Sequence, residues 1–221
     1  MNLAAVVGFL IGEAFIFSLL SELLKKSKIK SFMMRMQSIR AFIAIDPDNE
    51  TRQRLLTIQC ESLKMRQFSS VKVVDPLAMH ITLSFLGNIA PPELSAIRDA
   101  LRSVSFHPFC VTLNGIGAFP NIRKMRVIHV GLSDSADLKR LHKLIVESLK
   151  GADTSEKEFD PHITLGRVKR AIPSEMKDLA NVMAPLSSLF VGRLNVSSFL
   201  LKQSTLTPAG PVYDTLEEFK L

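Results

Sequence analysis

From residue 38 onward the sequence predicts an α+β protein with largely antiparallel sheets. Two observations carry this. Short β-branched strand patterns alternate with amphipathic helical ones through the whole body. In addition, the tetrapeptide His80-Ile81-Thr82-Leu83 returns 82 residues later as His162-Ile163-Thr164-Leu165, close to half the body's length. Two halves related by such a repeat can face each other across a groove.

The elements follow in order. Residues 39–45, IRAFIAI, are apolar and β-branched and end at the turn Asp46-Pro47-Asp48, so they form a strand. Residues 49–66 carry Leu55, Leu56, Ile58, Leu63 and Met65 among charges, as one helix would. Val71–Val74 is a short strand, and 80–86 is a strand that stops at Gly87-Asn88. Pro91-Pro92-Glu93 opens a helix to about Val104, since proline in the first turn forfeits no hydrogen bond. Residues 109–114 and 126–132 are strands around the loop GAFPNIRKM. Residues 135–149 place Leu138, Leu141, Leu144, Ile145 and Leu149 at helical spacing. A strand at 162–168 follows Asp160-Pro161, then a short helix at 174–183, and strands within 189–203 and 212–219.

The first 37 residues are a different material, and the domain proper is expected to be 38–221. Residues 3–24 are nearly all apolar and precede the basic run KKSKIK. A helix of that length reaches about 33 Å, enough for a bilayer core. Glu13 at mid-span opposes insertion, at about 2.5–3.5 kcal/mol. Three readings stay open: a membrane anchor, a start codon placed too far upstream of Met33, Met34 and Met36, or a soluble packing helix. If the segment inserts, the basic run after it keeps the body on the cytoplasmic side. No charged leader or small-residue cleavage site marks a signal peptide.

Composition narrows the classes. At 47% hydrophobic and 22% charged, disorder is excluded as the dominant state. Two cysteines, Cys60 and Cys110, exclude a disulfide scaffold and a cysteine zinc site, and are expected as reduced core thiols of a cytoplasmic protein. The net charge of +7 suggests a polyanionic partner. Residues 1–38 supply +3 of it, so the body is only mildly basic.

The repeat carries the chemistry. On a strand, positions i and i+2 share a face, so each copy presents an imidazole beside a hydroxyl, with Ile and Leu packed behind. A single H-x-T is a common accident; two four-residue identities on strands are not. Two facing copies give two imidazoles and two hydroxyls around one pocket. That set suits phosphodiester chemistry: a neutral imidazole takes a proton from water and a protonated one gives a proton to the leaving oxygen. The hydroxyls of Thr82 and Thr164 can hold the non-bridging oxygens. Two histidines could also ligate zinc, but no H-E-x-x-H, carboxylate cluster or cysteine pair accompanies them. No metal or cofactor is expected.

These residues resemble the two-histidine (2H) phosphoesterase superfamily. IRAFIAID at 39–46, MHITLSFLG at 79–87, GAFPNIRKMRVIHVGL at 117–132, FDPHITLGRV at 159–168 and FLLKQSTLTPAGPVYDTLEEF at 199–219 resemble its RNA 2′,3′-cyclic phosphodiesterase branch, first described as 2′-5′ RNA ligase. The resemblance implies a bilobal fold, two antiparallel-sheet lobes with outer helices and the active site in the groove between them. It implies metal-independent hydrolysis of RNA 2′,3′-cyclic phosphate ends to 2′-phosphomonoesters. By resemblance, His80 is the proton donor, His162 the proton acceptor, Thr82 and Thr164 hold phosphate, and Arg167 pairs with it. Arg123, Lys124 and Arg126 are either RNA contacts or a solvated loop.

Two departures from the family pattern stand out. Residues 1–37 are extra, and His129 stands where tryptophan is common, either as a third pocket histidine or, preferably, as packing. His107 and His142 read as ordinary surface or helix positions. The alternatives are an ATP-independent 2′-5′ RNA ligase, a hydrolase of small cyclic phosphates, or a non-catalytic RNA-binding module. The oligomeric state is open, with a monomer the working expectation.

Overall fold

The computed structural model describes residues 38–149, 159–169, 172–208 and 210–221. The readings made for residues 1–37 lie outside them. Among the described residues no helix is long and apolar enough to cross a membrane.

Among the described residues nine strands form one sheet, and every pairing is antiparallel. They are β1 (Ile39–Ile45), β2 (Val71–Val73), β3 (Ile81–Ile89), β4 (Phe109–Phe119), β5 (Val127–Ser133), β6 (His162–Val168), β7 (Phe190–Val196), β8 (Ser198–Thr207) and β9 (Gly210–Lys220). The order is β7-β4-β5-β6-β3-β1-β8-β9, with β2 on the edge of β6 that also meets β3. The α+β expectation holds. The expected lobes are the two quartets, β7-β4-β5-β6 and β3-β1-β8-β9. They join where β6 meets β3, through the single pair Ile81↔Ile163. Beyond it β6 pairs with β2 instead, so the two quartets part and leave a groove.

The helices are α1 (Asn49–Thr57), α2 (Pro91–Arg102), α3 (Ala136–Ser148) and α4 (Pro173–Met183). The Asp48 carboxylate caps α1, accepting from the Thr51 amide at 2.7 Å. The carboxylate of Glu93 does the same service for the Ala90 amide ahead of α2. Each helix buries a stripe: Ile97 and Leu101 on α2; Leu138, Leu141 and Ile145 on α3; Leu179 and Met183 on α4. Ile43, Ile81, Ile128, Val130, Ile163 and Leu165, all at 2% exposure or less, form the sheet side of the same core.

Four expectations change, the first at β4, which runs past residue 114 to Phe119 and pairs there with β5 over part of the expected loop. The single helix over 49–66 is instead α1, a π-turn at Ile58–Ser62 and a 3-10 turn at Met65–Gln67. The wider turn lets both Ile58 and Gln59 face inward, and Gln59 is drawn there by carbonyls described below. β3 does not stop at Gly87-Asn88: Gly87 takes φ +69° at a register shift, and the strand continues to Ile89. Cys60 and Cys110 are free, as expected, but both are exposed, not core.

Candidate active site

The register of the central pair builds the site. With Ile81 opposite Ile163, antiparallel pairing sets His80 opposite Thr164 and Thr82 opposite His162. Residues opposite each other share a face. The four polar side chains therefore converge on the groove, each half-buried, while Ile81 and Ile163 are fully buried behind them. A local two-fold axis passes between the two isoleucines and relates the two H-I-T-L copies.

The symmetry extends to the imidazoles. Nδ1 of His80 lies 2.8 Å from the Ala78 carbonyl, and Nδ1 of His162 lies 2.8 Å from the Asp160 carbonyl. A carbonyl only accepts, so in each ring Nδ1 carries the hydrogen and Nε2 is left for chemistry. The rings also have aromatic walls. His80 meets Phe42 at 4.9 Å and Tyr213 edge-on at 5.1 Å. His162 meets Phe119 at 4.8 Å and His129 at 5.3 Å.

The surroundings break the symmetry. Burial lowers His80 to about 4; the Ala78 carbonyl and Asp46 pull the other way, while Lys202 and His162 lower it further. Asp46 faces His80 by register, since Ile45 pairs with Ile81. Lys202, 4% exposed, reaches past the small Ala44 to Asp46 at 2.6 Å. An ion pair thus lies in the floor of the groove beside His80. Burial, and then the neighbouring His162, lower His129 to about 4 as well. His129 stacks on Phe119 at 4.1 Å and covers Gly117, where a Cβ would come within 2.8 Å of its Nε2. It is therefore both a packing residue and a third histidine at the pocket.

Arg167 reaches the groove by a bulge. It stands five residues after His162, and strict alternation would turn it into the core. However, β5 pairs His129 with Thr164 and then Ile128 with Gly166, so Leu165 is an extra residue. The parity flips: Gly166 faces the core, where a Cβ would collide with the Met65 side chain, and Arg167 turns to the groove face. Its charge is felt there by Tyr213. The first copy repeats the device. β1 pairs Ala44 with Thr82 and Ile43 with Ser84, so Leu83 is extra. Both bulged carbonyls are held from behind. Leu83 O accepts from Nδ1 of His142 at 2.8 Å, and Leu165 O from the Gln59 amide at 2.7 Å and the Val74 amide at 2.9 Å. His142 stands on α3, as one of the two expectations had it, and is a half-buried brace.

Arg123, Lys124 and Arg126 are exposed on the β4–β5 loop. The Asn121 side chain shapes that loop, accepting from the amides of Arg123 and Lys124. Arg126 is tied to β6 by its backbone: its carbonyl accepts from the amide of Val168, the residue after Arg167. His107 is exposed, 3.9 Å from Asp137. The sequence reading passed over Phe42, Tyr213, Phe119 and the Asp46–Lys202 pair. Their only signal was membership of family-like segments, because β1, β4, β8 and β9 bring them together from distant positions.

Comparison with known proteins shows the family. The family model described as the 2′-5′ RNA ligase superfamily matches residues 56–201. An RNA 2′,3′-cyclic phosphodiesterase of Archaeoglobus fulgidus is 38% identical over 183 residues, 82% of this chain and 100% of the relative. One of Methanothermobacter thermautotrophicus is 37% identical, over 83% of this chain and 99% of the relative. A crystal structure from Thermus thermophilus superposes with TM-score 0.68 at 32% identity, covering 83% of this chain and 98% of that one. Escherichia coli LigT in complex with 3′-AMP shares the fold, with TM-score 0.67 at 23% identity over 83% of this chain and 98% of its own. With two thirds of its length inside the family match and its two H-x-T elements meeting at one groove, the chain belongs to the 2′-5′ RNA ligase superfamily.

Proposed function

We propose that the protein is an RNA 2′,3′-cyclic phosphodiesterase, opening the cyclic end to a 2′-phosphomonoester. The observation that carries this is the placement of His80 and His162 across a local two-fold axis, each with Nε2 left for chemistry. An in-line displacement at phosphorus needs an acid and a base on opposite sides of the reacting atom, and this arrangement supplies them. His162 takes a proton from the attacking water as its oxygen bonds to phosphorus. The bond from phosphorus to the 3′-oxygen breaks, and His80 delivers its proton to that oxygen. Thr82, Thr164 and Arg167 bind the non-bridging oxygens, whose charge grows in the transition state. The names of the relatives support the substrate class.

His80 is neutral at pH 7 in the free protein, since burial holds it near 4. Its donor role therefore requires that the bound phosphate anion raise its proton affinity, with Asp46 assisting. Arg123, Lys124 and Arg126 serve as outer contacts to the RNA backbone. Two free cysteines suit a reducing, cytoplasmic setting.

The test is direct. Incubate the protein, with and without EDTA, with an oligoribonucleotide ending in 2′,3′-cyclic phosphate, and locate the product's phosphate. A 2′-phosphate formed equally in both supports the reading. A 3′-phosphate, no turnover, or loss with EDTA restored by zinc overturns it. Joined RNA on addition of a 5′-hydroxyl acceptor would show that the acceptor's oxygen can replace water.

A further inference from the structure

Lys72 carries a charge that the proposed reaction does not use. It stands on β2 directly opposite Arg167 of β6. Residues opposite each other share a face, so Lys72 turns to the groove as Arg167 does, while its neighbour Val71 is buried behind. Both side chains reach across to β9 of the other quartet. The charge of Arg167 is felt by Tyr213. The ammonium of Lys72 lies over Gly210, three residues earlier on β9, where a Cβ would come within 3.1 Å of Nζ. The two cations thus make a step, Arg167 on the strand of His162 and Lys72 on the strand beside it.

The β1 side of His80 has the opposite charge. There Asp46, Asp48 and Glu218 line a cavity of about 380 Å³ together with Asn195, Ser198 and Thr215. A phosphodiester chain is repelled from that side and drawn to the side of Arg167 and Lys72. The reacting phosphate already has Thr82, Thr164 and Arg167 for its non-bridging oxygens. We propose that Lys72 binds the phosphodiester that joins the terminal nucleotide to the rest of the RNA. This rests on the phosphodiesterase reading and deepens it, since the site then takes a chain of two or more nucleotides in preference to a lone cyclic mononucleotide. A lysine suits the task. Its ammonium is a point charge on a flexible stem, so it follows a backbone phosphate and reads no base.

The experiment compares two diribonucleotides ending in 2′,3′-cyclic phosphate. They are alike except that one has the ordinary phosphodiester linkage and the other a neutral methylphosphonate in its place. The unaltered protein is expected to prefer the charged linkage by about tenfold in kcat/KM, the lower range for a hydrogen bond to a charged group. Lys72→Ala and Lys72→Gln should abolish that preference, and Lys72→Arg should keep most of it. Equal hydrolysis of the two linkages by the unaltered protein overturns the proposal. So does a preference that survives Lys72→Ala, whether both substrates slow equally or neither does. A second arm needs no turnover. Calorimetry with the same two diribonucleotides ending in 2′-phosphate should show the same preference in affinity, and Lys72→Ala should remove it. Equal affinity for both linkages, or no binding of either, overturns the proposal. Failure of the unaltered protein to hydrolyse either cyclic end would count against the proposed reaction alone, while the affinities still decide the role of Lys72.

Discussion

His80 and His162 share one local hydrogen bond and differ in what surrounds them. His80 and His129 are both held near 4 in the folded protein, chiefly by burial, against an ordinary 6.5. The unfolded chain therefore takes up protons first as the solution is acidified. Their contribution to stability is fully present above about pH 6.5 and is lost as pH falls towards 4. The melting midpoint should be level near neutrality and drop across that window, less steeply in His129→Phe, which keeps a ring on Phe119. A midpoint level down to pH 4 would contradict the burial argument. Nuclear magnetic resonance should show the His80 ring titrating near 4 in the free protein and higher when a 2′-phosphorylated nucleotide is bound.

Catalysis should follow the same residues. His80→Ala and His162→Ala are each expected to lose about 10²- to 10⁴-fold in turnover, the usual worth of a general acid or base. Thr82→Val and Thr164→Val keep shape and drop the hydroxyl, and should cost about 10- to 100-fold in kcat/KM. If the melting temperature falls while kcat/KM per folded molecule holds, the threonines are scaffold. The four residues were legible in the sequence because an exact repeat on two strands is a local signal. The aromatic walls and the Asp46–Lys202 pair were not, since their contacts are made between strands far apart in the chain.

Among the elements, β1 and β6 fall where their apolar runs and flanking turns put them, whereas β4 outruns its expected end at residue 114. The bulges left no such mark. Each inserts a leucine at a position where alternation already expected an inward residue, so nothing in the pattern betrays the flip that follows. Without it the reading of Arg167 rested on resemblance alone. The structure also shows what holds the second bulge: Gln59, 1% exposed, donates to Leu165 O and Val74 O. Gln59→Leu keeps bulk and removes both bonds. Leaving a buried acceptor unsatisfied costs about 1–3 kcal/mol, or roughly 2–12 °C of melting temperature in a chain of this size. Arg167 should then be aimed less well, and kcat/KM should fall with the melting temperature. Normal kcat/KM in the folded fraction would mean that the Val74 amide alone suffices to hold the bulge.

For the whole molecule, the relatives align over nearly their full length with only about four fifths of this chain. Residues 38–221, expressed alone, should therefore melt and turn over as the full chain does, within about twofold. An insoluble or inactive truncation would place the preceding residues within the fold. The two quartets, although alike, are not successive in the chain. β4 to β7 make one quartet from a nearly continuous stretch, whereas the other combines β1 and β3 with β8 and β9. β1 lies between β3 and β8. During synthesis it can pair with β3 early, but its second edge stays open until residues 198–207 have left the ribosome. The groove quartet that carries Phe42 and His80 is thus the last to close, and long-range closure of this kind is slow and leaves an edge exposed to stray pairing meanwhile. A nascent chain stalled before β8 would present its β1 edge to chaperones, while the quartet bearing His162 had already formed.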